Sequence, residues 1–336
     1  MEEHINSRDG RKLGIDMDKK KLAWQIAILA LTVLCFAGIN IWFYEAFVKK
    51  VISHHTPGMQ AMSVEVKDYV PFAGTGHISS VPEAKDLEGT LPRIDGAAAL
   101  LPVYAGFVES VYPEDSVVFD GEGFAPESYM QYTNTRGAYQ AIAEGDADII
   151  ICAAPSDEQI KYAEEMGVEL EMVPIGMDAF VFIVNSSNPV DGLTLEQIRG
   201  IYSGQIDNWS EVGGDNMPIA ALRRNEGSGS QTALESLMGD IPVRADYTTL
   251  GASPIGFSFR YYVTGMLAEG GVKMLAVDGV EPDITSIANG TYPATGYIYA
   301  IYRSGETNPN VTGLIDFMLS PEGQAIVERS GYVPIE

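Results

Sequence analysis

Residues 22–48 read LAWQIAILALTVLCFAGINIWFYEAFV, and this apolar run sets what the rest of the chain can be. From Ile26 to Tyr44 it holds no Asp, Glu, Lys or Arg, and it is long enough to cross a bilayer as a helix. Trp24 lies near one end and Trp42 and Tyr44 near the other, where aromatic side chains favour the interface. Arg8, Arg11, Lys12 and Lys19–Lys21 precede the run, while Lys49 and Lys50 follow it, a bias that favours an inside N-terminus. The expected organisation is a short cytoplasmic segment (1–21), a transmembrane signal anchor (22–48), an extracellular tether (49–90) and an extracellular main body, in a single-pass cell-membrane protein. A cleaved signal peptide ending at Cys35-Phe36-Ala37 is disfavoured because apolar residues continue past that point. Thr32-Val33-Leu34-Cys35 is a poor lipobox because Leu34 is large. The tether is rich in turn formers, with one candidate packed patch at Tyr69-Val-Pro-Phe72.

The formal charge is −25, and residues 1–48 balance to zero, so the body carries all of it. Such an acidic surface repels phosphodiester backbones, which excludes nucleic acid as a partner. The histidines are His4, His54, His55 and His77, so none follows residue 77. A histidine-based nucleophilic site or a His-ligated zinc in the main body is thereby excluded. Cys35 lies in the apolar run and Cys152 closes Asp148-Ile-Ile-Ile-Cys152, which reads as a buried strand rather than half of a disulfide. Only Lys161 and Lys273 follow residue 90. An enzyme is the weakest reading, resting on carboxylates alone, and no cofactor or metal is expected.

From about residue 91 helix and strand patterns alternate, which argues an α/β fold. Helices are expected over 98–111, with Pro102 in the first turn, and over 136–144, closed by Gly145. Ala147–Ala153 reads as a buried strand. Ser156 with Gln159 and Thr194 with Gln197 form capping boxes for helices ending near Gly167 and Gly204. Strands are expected at 168–173, 179–184 and 219–223, and helices at 230–238 and after Ser320-Pro321.

The sharpest local signal is Ile219-Ala-Ala-Leu-Arg-Arg224-Asn-Glu-Gly-Ser228-Gly-Ser230-Gln-Thr, a strand, a Gly/Ser turn and a helix start. Amides at a helix N-terminus, two hydroxyls and a guanidinium together describe an anion cradle, and a plain helix-entry turn fits the same pattern. The lysine and spacing of a P-loop are lacking, so NTP hydrolysis is unsupported.

Arg224-x-x-Gly-Ser-Gly-Ser resembles the phosphate-contacting loop of the phosphate-binding proteins of ABC importers, and its Ser228–Thr232 form resembles the Gram-positive members. The same family is resembled by Ile94-Asp-Gly96, Ala147–Ile151, Pro174–Phe182 with Asn185 and Asn188-Pro-Val190, and Ile201–Gly204 through Asn208-Trp209 to Gly213-Gly214. Asp278-Gly-Val280, Gly290-x-Tyr-Pro293, Ser320–Gln324 and Gly331–Pro334 continue the series, so the resemblance covers about 91–336. It implies a two-lobed type II periplasmic-binding-protein fold with mixed sheets and two crossover strands. Lobe one would be 91–178 plus 299–336, and lobe two 179–298. It implies ligand contacts from Arg224, Ser228, Gly229 and Ser230 in lobe two. In lobe one they would come from the turn after Gly96 (Ala97, Ala98) and from Thr135 and Arg136 in Asn134–Gly137.

Three departures bear on selectivity. Ala97–Ala99 stand where hydroxyl side chains are usual, leaving only amides. Ala153 stands where the family places an aspartate that accepts the proton of hydrogen phosphate. Arg136 adds a cation. The expectation is weaker discrimination of phosphate from sulfate, or another anion such as an organic phosphate or carboxylate, with Asp95 and Asp178 the nearest motif-borne acids. The implied function is a monomeric, membrane-anchored binding protein that passes phosphate or a related small anion to an ABC permease. The alternative is a ligand-sensing or adaptor ectodomain that regulates a membrane partner without transport.

Overall fold

The computed structural model describes residues 24, 27–30, 32, 65–82, 84, 87–244, 251–266 and 271–335. The expected segment 1–21, most of the span 22–48 and the first part of the tether lie outside the described residues. No helix among the described residues is long and apolar enough to cross a membrane. Residues 1–56 and 57–336 are two units, and the second holds everything described below.

Among the described residues its main sheet has seven strands: β1 (Ile94–Gly96), β2 (Ile149–Cys152), β3 (Leu170–Asn185), β5 (Ile219–Ala221), β6 (Ser253–Phe259), β7 (Val272–Met274) and β9 (Thr295–Arg303). The order is β1-β2-β9-β3-β6-β5, with β7 also on β3. A two-stranded parallel sheet joins β4 (Gly192–Leu193) to β8 (Ala276–Val277). Pairing is mixed: β1–β2 and β5–β6 are parallel, while β9 is antiparallel to both β2 and β3.

β3 organises the molecule. Leu170–Ala179 pair with β9, and Phe180–Val184 pair with β6. One hydrophobic core gathers around the first half of β3, centred on Ile94, Ile150, Ile175 and Ile301. A second gathers around the other half, with Phe182, Tyr202, Trp209 and Phe257. The first is covered by helices α1 (Leu101–Val111), α2 (Asn134–Glu144), α7 (Pro309–Leu319) and α8 (Pro321–Arg329). The second is covered by α4 (Leu195–Ser203), α5 (Gly229–Met238) and α6 (Ile284–Ala288). We call the two parts lobe one and lobe two.

Two separate strands at 168–173 and 179–184 are not what forms. Pro174 and Gly176 break the pattern in sequence, but a register shift between them absorbs one residue and the strand runs on. Both capping boxes form: Ser156 starts α3 (Asp157–Glu165) and Thr194 starts α4. The polar-looking approach to the body also packs. Tyr69, Phe72, Ile78, Val81 and Leu87 lie on the lobe-one core. The Phe72 amide and the Ser80 hydroxyl both donate to the Glu109 carboxylate. Gly106 of α1 makes the approach of this segment feasible: a Cβ there would fall 2.3 Å from the Ser79 carbonyl oxygen.

Candidate functional site: an interlobe anion cradle

Strand β5 delivers the chain at Ala221 into the loop that carries Arg224, and the loop turns at Gly227, whose φ of +74° suits glycine. Ser228 caps α5, its hydroxyl oxygen accepting from the Gln231 amide at 3.3 Å. Gln231, fully buried, fixes the loop: its Oε1 accepts from the Arg224 amide at 3.0 Å and its Nε2 donates to Glu235. The first amides of α5 and the Ser230 hydroxyl therefore face one point, with the helix N-terminus behind them.

From lobe one, α2 brings its N-terminus to the same point. Asp95, at the end of β1, holds it there. Its carboxylate accepts from the Thr133 amide at 2.9 Å, the Thr133 hydroxyl at 2.5 Å and the Gly96 amide at 2.7 Å. Burial raises the pKa of Asp95, and these hydrogen bonds pull it back down. Asp95 is a fastener and lines no part of the cleft. Asn134 takes φ of +64°, a conformation asparagine tolerates. Thr135 is buried in the first turn, and a Cβ on Gly229 would lie 3.1 Å from its Oγ1, so the two lobes touch here. A third contact spans the cleft: Gln159 Nε2 donates to the Gly227 carbonyl at 3.3 Å, while its Oε1 accepts from the Ser156 amide.

The cleft between the lobes, open to solvent on one side, measures about 460 Å³. Ala97, Ala98, Thr135, Arg136, Arg224, Ser228, Gly229 and Ser230 all line it, so the residues expected to contact ligand share one cleft, while Asp95, Ala153 and Asp178 do not line it. One role changes. The Ala97 amide donates to the Ile151 carbonyl at 2.9 Å, so Ala97 presents its methyl group rather than a donor. The amides of Ala98 and Ala99 open the 3-10 turn Ala98–Leu100 and have no acceptor within it. Sequence reasoning missed Thr133, Gln140, Ser258 and Phe259, which also line the cleft, and Glu226, the one carboxylate in its lining among the described residues. Ser258 and Phe259 end β6, a position visible only once the strand order is known.

Arg224 is half-buried, and burial pushes its pKa down, with nearby Tyr262 opposing. Among the described residues neither Arg224 nor Arg136 has a carboxylate within ion-pairing distance. Two cations, several amides and hydroxyls in one cleft suit an oxyanion. Behind the cradle lies a void of about 20 Å³, lined by Ala97, Thr135, Ala153, Asp178 and Gly229 among others. Asp178 is buried at the midpoint of β3, where it accepts from the amides of Ala179 (2.8 Å) and Tyr261 (3.4 Å). Burial pushes its pKa up to about 7, against these hydrogen bonds and the charge of Arg260.

Residues 100–322 match the sequence profile of the PBP superfamily domain. The chain belongs to the PBP superfamily. Among curated PBP-like relatives, the phosphate-binding protein PstS of Bacillus subtilis is 24% identical over 275 residues, covering 78% of this chain and 87% of its own. The PstS of Staphylococcus epidermidis is 26% identical over 273 residues, covering 75% and 80%. A solved structure from Clostridium perfringens is described as a phosphate ABC transporter substrate-binding protein with bound phosphate. It superposes with a TM-score of 0.56 at 25% identity, over 74% of this chain and all of its own.

Proposed function

We propose that this PBP superfamily member captures phosphate or a closely related oxyanion between its lobes and delivers it to an ABC importer. The observation that carries the reading is convergence. Arg224 and the N-terminus of α5 from lobe two meet the N-terminus of α2 and the Ala98–Ala99 amides from lobe one, around one cleft. Relatives named as phosphate-binding proteins support the choice of anion. Ligand held by both lobes favours the closed arrangement, which gives a permease a surface that differs with occupancy. The apolar run 22–48 would hold the protein at the outer face of the cell membrane, with residues 1–21 inside and the monomeric body outside.

Calorimetry and thermal shift with phosphate, sulfate and a phosphate monoester test the reading. Phosphate at about a hundredfold its dissociation constant is expected to add roughly 2.7 kcal/mol of stability. Absence of any shift with all three anions would refute it.

A further inference from the structure

Asp178 is the buried carboxylate behind an anion site. It sits at the point where β3 passes from lobe one to lobe two, and it shares a void with Thr135 and Gly229 of the cradle. Ala153, with its small side chain, leaves this void open, and about 20 Å³ has room for one water. The carboxylate accepts two amide hydrogen bonds, which leaves lone pairs on both oxygens. No ion pair neutralises it among the described residues. An ionised Asp178 and a doubly charged oxyanion would face each other across this small void, where burial leaves like charges poorly screened and they repel. A neutral Asp178 removes the repulsion and supplies an O–H donor towards the void.

Resting on the anion-binding reading above, we propose that anion capture is coupled to proton uptake: Asp178 takes a proton from solvent as a dianion enters the cradle. The proton adds to a carboxylate oxygen to give the neutral acid, and its release accompanies release of the anion. The midpoint of the free protein, about 7, places the exchange at neutral pH. The groups facing Asp178 do not duplicate the effect. They are Tyr261 and Arg260 after β6, Tyr332 near the C-terminus and Tyr297 of β9. Burial raises the pKa of Tyr261 and Tyr332, so these stay neutral. No histidine lies in residues 78–336, and His77 sits against the Tyr69 ring, away from the cleft lining.

The test is calorimetry of the full chain in buffers of different ionisation heat, from pH 6 to 8.5, with sulfate and phosphate as probes. Sulfate does not titrate in this range, so any proton taken up with it belongs to the protein. Wild type is expected to take up close to one proton per sulfate at pH 8, and its affinity to fall about tenfold per pH unit above 7. Asp178→Asn is expected to bind with no such exchange and a flat profile, and to bind more tightly than wild type at pH 8. With phosphate, whose own titration is common to both proteins, the uptake of wild type and variant is expected to differ by about one proton. His77→Asn is expected to behave as wild type. If Asp178→Asn does not fold, infrared difference spectra of the wild type supply the readout, since the band of a protonated carboxyl must grow when anion is added. Phosphate binding with equal proton uptake in wild type and Asp178→Asn, or with no such band, overturns the proposal and leaves the anion-binding reading standing. Failure to bind either probe overturns both.

Discussion

Arg224 places its charge half inside the molecule, opposite the N-terminus of α2, and burial already disfavours that charge. An anion relieves the penalty. Arg224→Ala is therefore expected to lose at least about 2 kcal/mol of phosphate binding, roughly thirtyfold in dissociation constant, read by calorimetry. Asp178 works in the other direction on stability. Its folded carboxyl keeps a proton to about pH 7, whereas an ordinary aspartate releases it near 3.8. Between those values the folded chain binds more protons than the unfolded one, so stability declines as pH rises towards 7 and then levels off. On the order of 4 kcal/mol is at stake. Denaturant titrations at pH 4 and pH 8 should show Asp178→Asn gaining stability relative to wild type at the higher pH. Arg224, Ser228 and Ser230 were legible in the sequence because one contiguous loop holds them. Asp178 was legible as a nearby acid but not as the floor of the cradle, since β3 brings it there from 46 residues upstream of Arg224.

Short signals at element ends translated directly into structure. The capping boxes at Ser156 and Thr194 are local hydrogen-bond patterns, and both form as written. Gln159 does more than its box requires, reaching the Gly227 carbonyl of the other lobe. Gln159→Glu keeps the acceptor for Ser156 and deletes the donor for Gly227. It is expected to leave the melting temperature unchanged and to weaken anion binding several-fold, about 1 kcal/mol. Strands β6 and β9 were illegible because they are specified by partners far along the chain: β9 lies between β2 and β3. In the approach segment the patch Tyr69–Phe72 was legible and does pack, while the rest of it, Ile78, Val81 and Leu87, was hidden for a different reason. Its composition reads as a tether, and only Gly106 lets it settle on α1. Gly106→Ala, with a Cβ 2.3 Å from Ser79 O and 2.7 Å from Ile326 Cγ2, is expected to lift this segment. The cost is about 1–3 kcal/mol, with new protease cleavage within residues 66–87 as the readout.

At the scale of the molecule, the charge of −25 opposes the ligand it is proposed to capture. Among the described residues lining the cleft, the two arginines and the helix ends attract an anion, and Glu226 opposes them. Raising ionic strength from about 0.01 to 0.1 M shortens the screening length from about 30 to 10 Å, which mutes the distant acids more than the adjacent arginines. Association of phosphate, followed by stopped flow, is expected to speed up over that range, and a rate that falls with salt would contradict this picture.

Strand β9 has a consequence for how the chain is made. Lobe two takes its strands from residues 180–277 and adds Ile287 and Tyr292 to its core soon after, so most of it can close before β9 emerges. Lobe one begins first, at Ile94, yet its sheet waits for Thr295–Arg303 to slot between β2 and β3. During synthesis from the N-terminus, the lobe begun first is finished last, against the usual order of domain folding. A chain halted at residue 294 should protect 180–277 from protease and leave 91–169 open to it. Through that interval the Ile149–Cys152 strand, apolar at all four positions, keeps one edge unpaired, an edge exposed to wrong pairing until the final strand arrives.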